Sequence, residues 1–350
     1  MIVCNTRILN APRTGVGRYT TELLKRMPAM RTVRPPALLK TFAGHAWEQV
    51  VLPFHARGNL LWSPAGTGPI GVRNQVITVH DIAPLEYPEG YSPAFRQWYE
   101  FLWRRLLPRV RAIITVSDFN KRRLVERLGL APDAIHVTHL GVDHSYFYPR
   151  GADEIDAVRR KHGLPEKFVL FVGSLSARKN IRRLIEAWRE TRDPDACLVL
   201  AGGFGSIGLA GGELPDLPPR TMVIGRVDDD DLPALFTAAT LFAYPSVYEG
   251  FGLPPLEAMA CGTPCLVSNV TSIPEVAGAA ARQVDPEDVP GLARALDELL
   301  RDANLLARMR EAGLNHVKRF TWDATALRTN EILRRFTDES DHALAFHRAS

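Results

Sequence analysis

Residues 241–260 read LFAYPSVYEGFGLPPLEAMA, and this stretch decides which fold the chain can adopt. The apolar run at its start predicts a buried strand, whereas 255–260 predict a helix, because proline is well tolerated in the first turn of a helix. The segment between them carries two glycines. A strand that leads through a glycine-containing loop into a helix is the repeating unit of a parallel α/β sheet.

The same alternation extends in both directions from this stretch. Continuous apolar runs, as expected for strands covered on both faces, predict strands at 2–5, 60–62, 75–79, 112–116 and 135–139, and again at 168–172, 197–200, 222–224, 241–243 and 264–267. Helices are predicted from about 18 to 27, at 93–107, 118–128, 180–190, 231–239, 255–260 and 290–302, and from about 322 to 336, followed by a tail.

The pattern stops and restarts in the polar segment between 141 and about 165, which is predicted to connect two domains. We therefore expect an α/β protein with one doubly wound, Rossmann-like domain at 1–160 and a second at 165–321. Ligands of doubly wound sheets bind beyond the carboxyl ends of the strands. Two such domains facing each other would place a site in the cleft between them.

Length and composition indicate a soluble two-domain protein. The chain has 350 residues, of which 46% are hydrophobic and 23% charged, enough for two cores. It has no apolar run of transmembrane length, and Met1 leads directly into the first predicted strand, so a cytoplasmic location is expected. The cysteines at 4, 197, 261 and 265 lie in apolar surroundings and are expected to be reduced and buried.

The charge is distributed unevenly. Residues 1–150 hold 20 Lys and Arg against 10 Asp and Glu, whereas the remainder holds 23 against 29. The basic half could face phosphates or an anionic membrane, and a solvated basic face is the alternative. Within it, 95–107 combine helically spaced aromatic residues with arginines. One face of this helix is expected to pack on the sheet, and peripheral contact with the inner face of the plasma membrane is the open alternative.

The segment from Glu249 to Glu257 carries the strongest functional signal. Gly250 and Gly252 let a ligand approach the backbone closely, and the amides at the start of the following helix form an anion site that the helix dipole strengthens. Glu249 is predicted to bind a sugar hydroxyl and Glu257 a ribose hydroxyl. An ordinary strand–loop–helix corner is the alternative that this combination disfavours.

A second motif follows the strand at 168–172 and runs from Gly173 to Arg178, Lys179 and Asn180. Arginine binds phosphate oxygens in pairs and lysine acts as a point charge, so the two cations are predicted to neutralise a diphosphate. Without a ligand, a helix start is an unfavourable place for cations, because the helix dipole is positive there. That conflict favours a bound anion.

Two weaker signals lie in the first half. Gly15 and Gly17 stand between a strand and a helix, as in a loop that approaches phosphate, but the third glycine of a dinucleotide-binding fingerprint and the Gly-Lys-Ser/Thr of a Walker motif are missing. His80 ends the strand at 75–79, where a ligand would bind. It is predicted to donate a hydrogen bond to a sugar hydroxyl or to hold charge near the reacting carbon.

The acidic run 228–231 contains the Asp-x-Asp pattern of metal-dependent sugar transferases. It directly precedes a predicted helix, and acidic residues are favoured at the cap and in the first turn of helices. We therefore interpret it as a helix start and expect no metal and no other cofactor.

Together these motifs resemble those of the retaining glycosyltransferases of family 4, which have the GT-B fold. The Gly-x-Gly loop, Val-His-Asp at 79–81, Gly-x4-Arg-Lys-Asn at 173–180 and Glu-x7-Glu at 249–257 occur in the family's order. The resemblance implies two Rossmann-like domains facing each other across a cleft, with a helix within 322–350 packed back on the first. It implies a nucleotide-diphosphate sugar as donor, and transfer with retention and without a metal.

The resemblance also implies a role for each motif. His80 would lie near the anomeric carbon, Arg226 and Val227 against the base, and the backbone of Leu253 and Pro254 near the phosphates. The implied catalytic residues are His80, Arg178, Lys179 and Glu249, and the implied donor-binding residues are Gly15, Gly17, Gly173, Arg178, Lys179, Arg226, Val227, Glu249, Gly250, Phe251, Gly252, Leu253 and Glu257.

Within the family, the motifs look most like those of bacterial mannosyl- and rhamnosyltransferases of surface-polysaccharide assembly. GDP-mannose is therefore the expected donor, with a UDP- or dTDP-sugar as the alternative. The expected acceptor is a glycan or a polyprenyl-diphosphate-linked oligosaccharide, recognised by loops such as 64–73 and 86–93, and no nucleic acid is expected as a partner. A nucleotide-sugar 2-epimerase of the same fold and a non-catalytic nucleotide-sugar-binding module are the competing hypotheses.

Overall fold

The computed structural model describes residues 1–10, 14–39, 41–203 and 216–348, and the chain divides into two compact units. The first unit contains Met1–Leu85, Arg96–Gly141 and the C-terminal part from Trp322 onward. The second contains Glu86–Phe95 and Val142–Thr321. Residues 142–160, which the sequence assigns to the first domain, thus group with the second unit.

The first unit is built on six parallel strands. They are β1 (Ile2–Asn5), β2 (Arg31–Val33), β3 (Leu60–Ser63), β4 (Gln75–Val79), β5 (Ala112–Thr115) and β6 (Ile135–Val137), in the spatial order β2-β1-β3-β4-β5-β6. Its helices are α1 (Gly15–Arg26), α2 (Thr41–Val50), α3 (Leu52–Ala56), α4 (Ala83–Glu86), α5 (Pro93–Leu106) and α6 (Asp118–Leu128). Every residue of β3, β4 and β5 is buried, which explains their mainly apolar sequences.

The second unit repeats this design. Its strands are β7 (Phe168–Val172), β8 (Cys197–Ala201), β9 (Thr221–Gly225), β10 (Leu241–Tyr244), β11 (Cys265–Ser268) and β12 (Arg282–Val284), in the spatial order β12-β11-β10-β7-β8-β9, and all pairings are parallel. Its helices are α7 (Ala152–His162), α8 (Ile181–Glu190), α9 (Leu232–Ala238), α10 (Leu253–Ala260), α11 (Ile273–Ala277), α12 (Val289–Arg301) and α13 (Ala303–Val317). The predicted class, α/β with two doubly wound sheets, is confirmed.

The last helix, α14 (Trp322–Arg348), belongs to the first unit and runs well past the predicted end at residue 336. Near its start the Trp322 ring lies 6.4 Å from that of Tyr19 on α1, measured between centroids. Arg26 Nε donates to Asp323 Oδ1 at 2.7 Å, which adds a polar contact between α1 and α14.

The polar segment after residue 141 holds a helix that the sequence pattern does not predict. In α7 only Val158 is buried, so the helix has almost no apolar face to reveal it. Polar contacts fasten it instead: Lys161 Nζ lies 2.7 Å and His162 Nε2 lies 2.9 Å from Asp231 Oδ2. The segment is therefore part of the second unit's structure.

Candidate active site

Glu249 lies in the loop between β10 and α10, at the carboxyl end of the second sheet, and its side chain is only 9% exposed. Three donors reach Oε1: Lys179 Nζ at 2.5 Å, the Ser246 hydroxyl at 2.6 Å and the Tyr244 hydroxyl at 3.0 Å. Oε2 accepts one bond, from Arg178 Nη1 at 3.2 Å. The carboxylate is thus fixed by four side chains from the ends of two adjacent strands.

This geometry keeps Glu249 ionised. Burial by itself raises the pKa of a carboxyl, but the charges of Lys179 and Arg178 outweigh burial and hold the pKa of Glu249 at about 2. The buried Tyr244 hydroxyl, which also accepts a hydrogen bond from Lys179, has its pKa raised well above the ordinary value by burial and by Glu249. The result is a buried group of two cations and one carboxylate.

The turn after β7 positions the two cations. Residues Ala177–Lys179 form one turn of 3-10 helix, and Asn180 takes a left-handed conformation with φ of 60° before α8 begins. The Asn180 side chain donates to the Pro286 carbonyl at 2.6 Å, and Arg178 Nη1 donates to the Tyr248 carbonyl at 2.7 Å. The loop after β7 is therefore tied to the loop that carries Glu249.

The start of α10 has fewer donors than its sequence position suggests. Helix N-termini bind anions through first-turn N–H groups, but Pro254 and Pro255 have none. Within the first turn of α10, this leaves the Leu253 amide before the prolines. Gly252, with φ of 101°, must be glycine, since a Cβ would lie 2.5 Å from Ile273 Cδ1. Glu257 is buried in the second turn of α10.

Glycines also line the carboxyl ends of β7 and β8. Gly173 N donates to Ala201 O at 3.0 Å, and a Cβ on Gly202 would lie 1.8 Å from Gly173 O. The two backbones can therefore meet only without side chains. Beyond β9, Val227 is buried and Arg226 is exposed at the same edge of the sheet.

Comparison with known proteins defines the family. A family model described as glycosyl transferases group 1 matches residues 154–316, and one described as glycosyltransferase family 4 matches 37–146. The O-antigen chain mannosyltransferase B of Escherichia coli is 32% identical to this chain over 378 aligned positions, which cover 94% of this chain and 98% of that protein. The chain is a family 4 glycosyltransferase.

Other relatives and solved structures agree with this assignment. The serotype-specific mannosyltransferase WbdA of Escherichia coli is 31% identical over 72% of this chain, although the matched region spans only 32% of WbdA. Sucrose-phosphate synthase from Thermosynechococcus elongatus superposes with a TM-score of 0.75 at 21% identity, covering 97% of this chain and 99% of that one. WaaG, a glycosyltransferase of lipopolysaccharide biosynthesis, superposes with a TM-score of 0.73 at 16% identity, covering 95% and 99%. These structures confirm the GT-B fold.

In the glycosyltransferase, His80 follows β4 in the first unit, as predicted, but its hydrogen bonding differs from expectation. Its Nε2 lies 2.8 Å from the Pro64 carbonyl, which can only accept, so Nε2 is the donor. Burial lowers the pKa of His80, although the Pro64 carbonyl and Asp81 oppose that effect. A neutral His80 would therefore offer a ligand the acceptor Nδ1, rather than the predicted donor or a held charge.

The glycine loop of the first unit is already capped. Helix α1 begins at Gly15, and the Thr14 hydroxyl accepts a hydrogen bond from Gly17 N at 3.1 Å. Gly17 can give a ligand close approach, but its N–H is occupied. Among the described residues, no atom comes within 4 Å of a Cβ placed on Gly15. Residues 11–13, which precede this loop, lie outside the described residues.

Two residues of the acidic run 228–231 pair with basic side chains of the protein. Asp231 contacts Lys161 and His162, and Asp228 Oδ2 lies 3.2 Å from Lys161 Nζ. Asp231 ends the turn before α9 but makes no side-chain cap. Its predicted cap role is therefore replaced by ion pairs to α7.

The sequence did not single out three polar residues around Glu249. Tyr244 and Ser246 donate to its carboxylate, and the Ser272 hydroxyl lies 2.9 Å from its carbonyl. Tyr244 looked like an ordinary strand residue and Ser246 like a loop residue. Tyr244 ends β10 and Ser246 follows it closely, and this place at the carboxyl edge of the sheet was the available signal.

Helix α5 mostly packs inward, since Leu102, Trp103 and Leu106 are buried in the first unit's core. Phe101 is 48% exposed, and the Arg105 guanidinium lies 5.5 Å from the centre of its ring. Among the described helices, none combines the length and the apolar character that crossing a bilayer requires.

Proposed function

We propose that the protein is a retaining, metal-independent mannosyltransferase that moves mannose from GDP-mannose to a glycan or a polyprenyl-diphosphate-linked oligosaccharide. The observation that carries the proposal is the buried group of Arg178, Lys179 and Glu249 at the carboxyl edge of the second sheet. The relatives named as mannosyltransferases of O-antigen chains support the choice of sugar and pathway class.

The charges of this group suit a diphosphate. Two cations stand against one carboxylate, so one positive charge remains for a ligand. Lys179 and Arg178 would bind the diphosphate oxygens and stabilise the charge that grows on them as the bond to the sugar breaks. Because Glu249 fixes both cations beforehand, little reorganisation is needed during the reaction.

Glu249 offers one of its oxygens to the donor sugar. Oε1 takes three protein donors, whereas Oε2 takes only Arg178, so Oε2 has room for a sugar hydroxyl. The amides of Gly250, Phe251 and Gly252 and that of Leu253 would complete contacts with sugar and phosphate. Glu257 would bind the ribose.

Three further assignments belong to the same proposal. Gly173, Arg226 and Val227 would border the diphosphate and the base at the ends of β7 and β9. Gly15 and Gly17 would permit close backbone approach to the diphosphate, and His80 would accept a hydroxyl through Nδ1. Because Asp228 and Asp231 of the acidic run are paired with Lys161 and His162, protein cations rather than a metal would balance the phosphates.

A donor panel tests the proposal. Purified enzyme is incubated with GDP-mannose, UDP-glucose or dTDP-rhamnose and a mannose-terminated oligosaccharide, and the product's anomeric configuration is read by NMR. Transfer from GDP-mannose with an α-linked product is expected. HepE of Anabaena, solved with UDP-glucose, motivates the uridine alternative. Transfer only from the UDP- or dTDP-sugar would refute the donor, and a β-linked product would refute retention.

Two controls separate the competing functions. Incubation with the donor alone identifies a 2-epimerase, which interconverts nucleotide sugars without an acceptor. Full transfer after addition of EDTA is expected, and loss of transfer that Mg²⁺ restores would contradict metal independence. A binding module would raise its melting temperature with GDP but transfer nothing.

We also propose peripheral contact with an anionic membrane through the outer side of α5. The exposed Phe101 ring with Arg105 beside it suits an interface where apolar and anionic groups meet. Flotation with vesicles containing phosphatidylglycerol, compared with pure phosphatidylcholine, tests it. Phe101→Ser should reduce flotation several-fold, and equal flotation of both proteins would refute the contact.

A further inference from the structure

A second group of buried polar side chains lies in the first unit, and none of its members has a role in donor binding. Its ionisable members are Arg7, which closely follows β1, and His45 and Glu48, both on α2. Asn5 at the end of β1 and Thr67 after β3 complete it. The group therefore stands at the carboxyl edge of the parallel sheet, where ligands of such sheets bind.

Glu48 is the centre of the group, and its side chain is 0% exposed. Oε1 accepts from Asn5 Nδ2 at 2.6 Å and from the Thr67 hydroxyl at 2.9 Å, and Arg7 Nε lies 3.5 Å away. Burial would raise the pKa of Glu48, but His45, Arg7 and Asn5 together lower it. The carboxylate is therefore ionised inside the protein.

The hydrogen bonding of this group is incomplete. Among the described residues, Glu48 Oε2, Arg7 Nε and His45 Nδ1 are all buried without a hydrogen-bond partner, although His45 Nδ1 lies 3.5 Å from Glu48 Oε2. Trp98 Nε1 is a fourth such atom, and the Trp98 ring meets His45 edge-on at 5.5 Å. Arg7 and His45 each approach the carboxylate only to 3.5 Å, so these ion pairs are loose. Buried polar atoms without good hydrogen bonds are costly and uncommon, so they require a reason.

A purely structural ion pair does not supply that reason. Replacing a buried ion pair by apolar side chains is often neutral or stabilising, so an imperfectly paired one is a poor structural device. Arg7 and His45 each keep 16% of their side chains accessible, so the group has an outward side. There the His45 imidazole lies edge-on to the Trp98 ring, and the Arg7 guanidinium lies on the Oε1 side of the Glu48 carboxylate, with Nε 3.5 Å from that oxygen.

The charges around Arg7, His45 and Glu48 indicate which chemical class of ligand suits this group. Tyr99, which packs near His45, experiences the charges of Arg7, Glu48 and Asp81. Glu48 balances the charge of Arg7 within the group, and Asp81 adds a negative charge near Tyr99, so the surroundings do not favour a phosphate. Planar polar side chains beside an aromatic ring suit a sugar, whose hydroxyls take hydrogen bonds while its C–H face packs on the ring.

We propose that Arg7, His45 and Glu48 form the subsite for the terminal sugar of a neutral glycan acceptor. The assignment rests on the proposed glycosyl transfer and names the acceptor side of it. Arg7 and His45 bind sugar hydroxyls, the buried Glu48 holds both side chains in place, and Trp98 packs against the sugar ring.

Binding of a simple probe tests the subsite without any reaction. Saturation-transfer NMR measures the affinity of methyl α-D-mannopyranoside for full-length Glu249→Ala protein, in which the donor-sugar position is impaired. Adding Glu48→Gln or Arg7→Ala should weaken binding about tenfold, as expected for loss of one or two hydrogen bonds. Arg57→Ala is the matched control, because Arg57 lies in the same unit and stacks on the exposed Phe54.

Kinetics on the otherwise wild-type enzyme give the second readout. Glu48→Gln and Arg7→Ala should raise the acceptor KM about tenfold, while the KM for GDP-mannose and its acceptor-independent hydrolysis stay unchanged. Arg7→Lys should be intermediate, since it keeps the charge but not the fork of donors. If the wild type neither hydrolyses nor transfers any nucleotide sugar, the proposed function fails, and the NMR result still decides the subsite.

Three outcomes would overturn the subsite. One is absence of probe binding by the Glu249→Ala protein. Another is unchanged probe binding with a lower melting temperature in Glu48→Gln, which would make the group a structural ion pair. The third is displacement of the probe by inorganic phosphate in a manner that Arg7→Ala abolishes, which would make it an anion site.

Discussion

Each unit buries one glutamate beside an arginine at the carboxyl edge of its sheet, but the two glutamates are held differently. Both oxygens of Glu249 accept hydrogen bonds, and two cations hold its pKa at about 2. Among the described residues, Glu48 accepts hydrogen bonds at Oε1, from Asn5 and Thr67, whereas Oε2 faces His45 Nδ1 at 3.5 Å without a hydrogen bond. The Glu249 group, in which both carboxylate oxygens are hydrogen-bonded, holds its charges in place for an anion. The Glu48 group, whose hydrogen bonding is incomplete, suits a ligand that both donates and accepts hydrogen bonds.

Removing the lysine from the Glu249 group should have the largest effect. Lys179→Ala takes away the closest cation and leaves a buried carboxylate underpaired, so we expect transfer to fall about 10²–10³-fold. Initial rates with GDP-mannose at saturating acceptor measure this. Lys167→Ala is the matched control, because Lys167 also pairs with a carboxylate of the second unit, Asp193, at 2.7 Å. Equal transfer rates in the two variants would show that Lys179 has no role in the donor site.

The donor side also depends on a backbone contact. Gly202→Ala places a Cβ 1.8 Å from Gly173 O at a φ of 144°, so the ends of β7 and β8 must separate. We expect a loss of about 3 kcal/mol or more in the free energy of unfolding. In Gly203→Ala the added Cβ meets no atom of the described part of the chain within 4 Å. Calorimetry of both variants checks the prediction, and similar melting temperatures would contradict the close approach.

Acid titration should distinguish the two glutamates. The Glu249 carboxyl has a pKa of about 2 when folded and about 4.5 when unfolded, so its stabilisation is complete above pH 4.5 and is lost as the pH falls toward 2. Its full size is about 3 kcal/mol. Glu249→Gln should remove this acid-dependent loss. Glu48→Gln should also reduce the acid-dependent loss of stability, but by a smaller amount. Calorimetry of both variants between pH 5 and 2.5 measures the two effects. A larger effect of Glu48→Gln than of Glu249→Gln would contradict the prediction that Glu249 is the more strongly stabilised carboxylate.

The same contrast shows what the sequence could reveal. The glutamate pair, the adjacent cations and the strand–loop–helix order are local patterns, so Glu249, Lys179 and Arg178 could be found from a few dozen residues. The Glu48 group joins Asn5, Arg7, His45 and Thr67, which are far apart along the chain and carry no motif. Only the parallel pairing of β1 with β3 brings their surroundings together.

The fold itself was predictable where burial was continuous. Strands such as β4 and β7 are mainly apolar, and their limits agree with the predicted ones. Helix α7 and the short strand β2 were missed because most of their side chains remain in contact with water. Which ring nitrogen of His80 donates a hydrogen bond also could not be predicted from the sequence, because it depends on the Pro64 carbonyl that the fold places beside the ring.

The smallest expected effect concerns the Tyr244 hydroxyl, which is hydrogen-bonded to both Lys179 and Glu249. Tyr244→Phe keeps the ring, which stacks near Phe171 and Phe242, but removes the donor to Glu249 Oε1 and the acceptor for Lys179. We expect the fold to be retained and transfer to fall about tenfold, the factor that corresponds to one hydrogen bond of about 1.4 kcal/mol. Because Lys179 and Glu249 still pair directly, the effect must be smaller than that of Lys179→Ala. Rates as low as those of Lys179→Ala, with an unchanged melting temperature, would mean that the hydroxyl and not the ion pair positions the lysine.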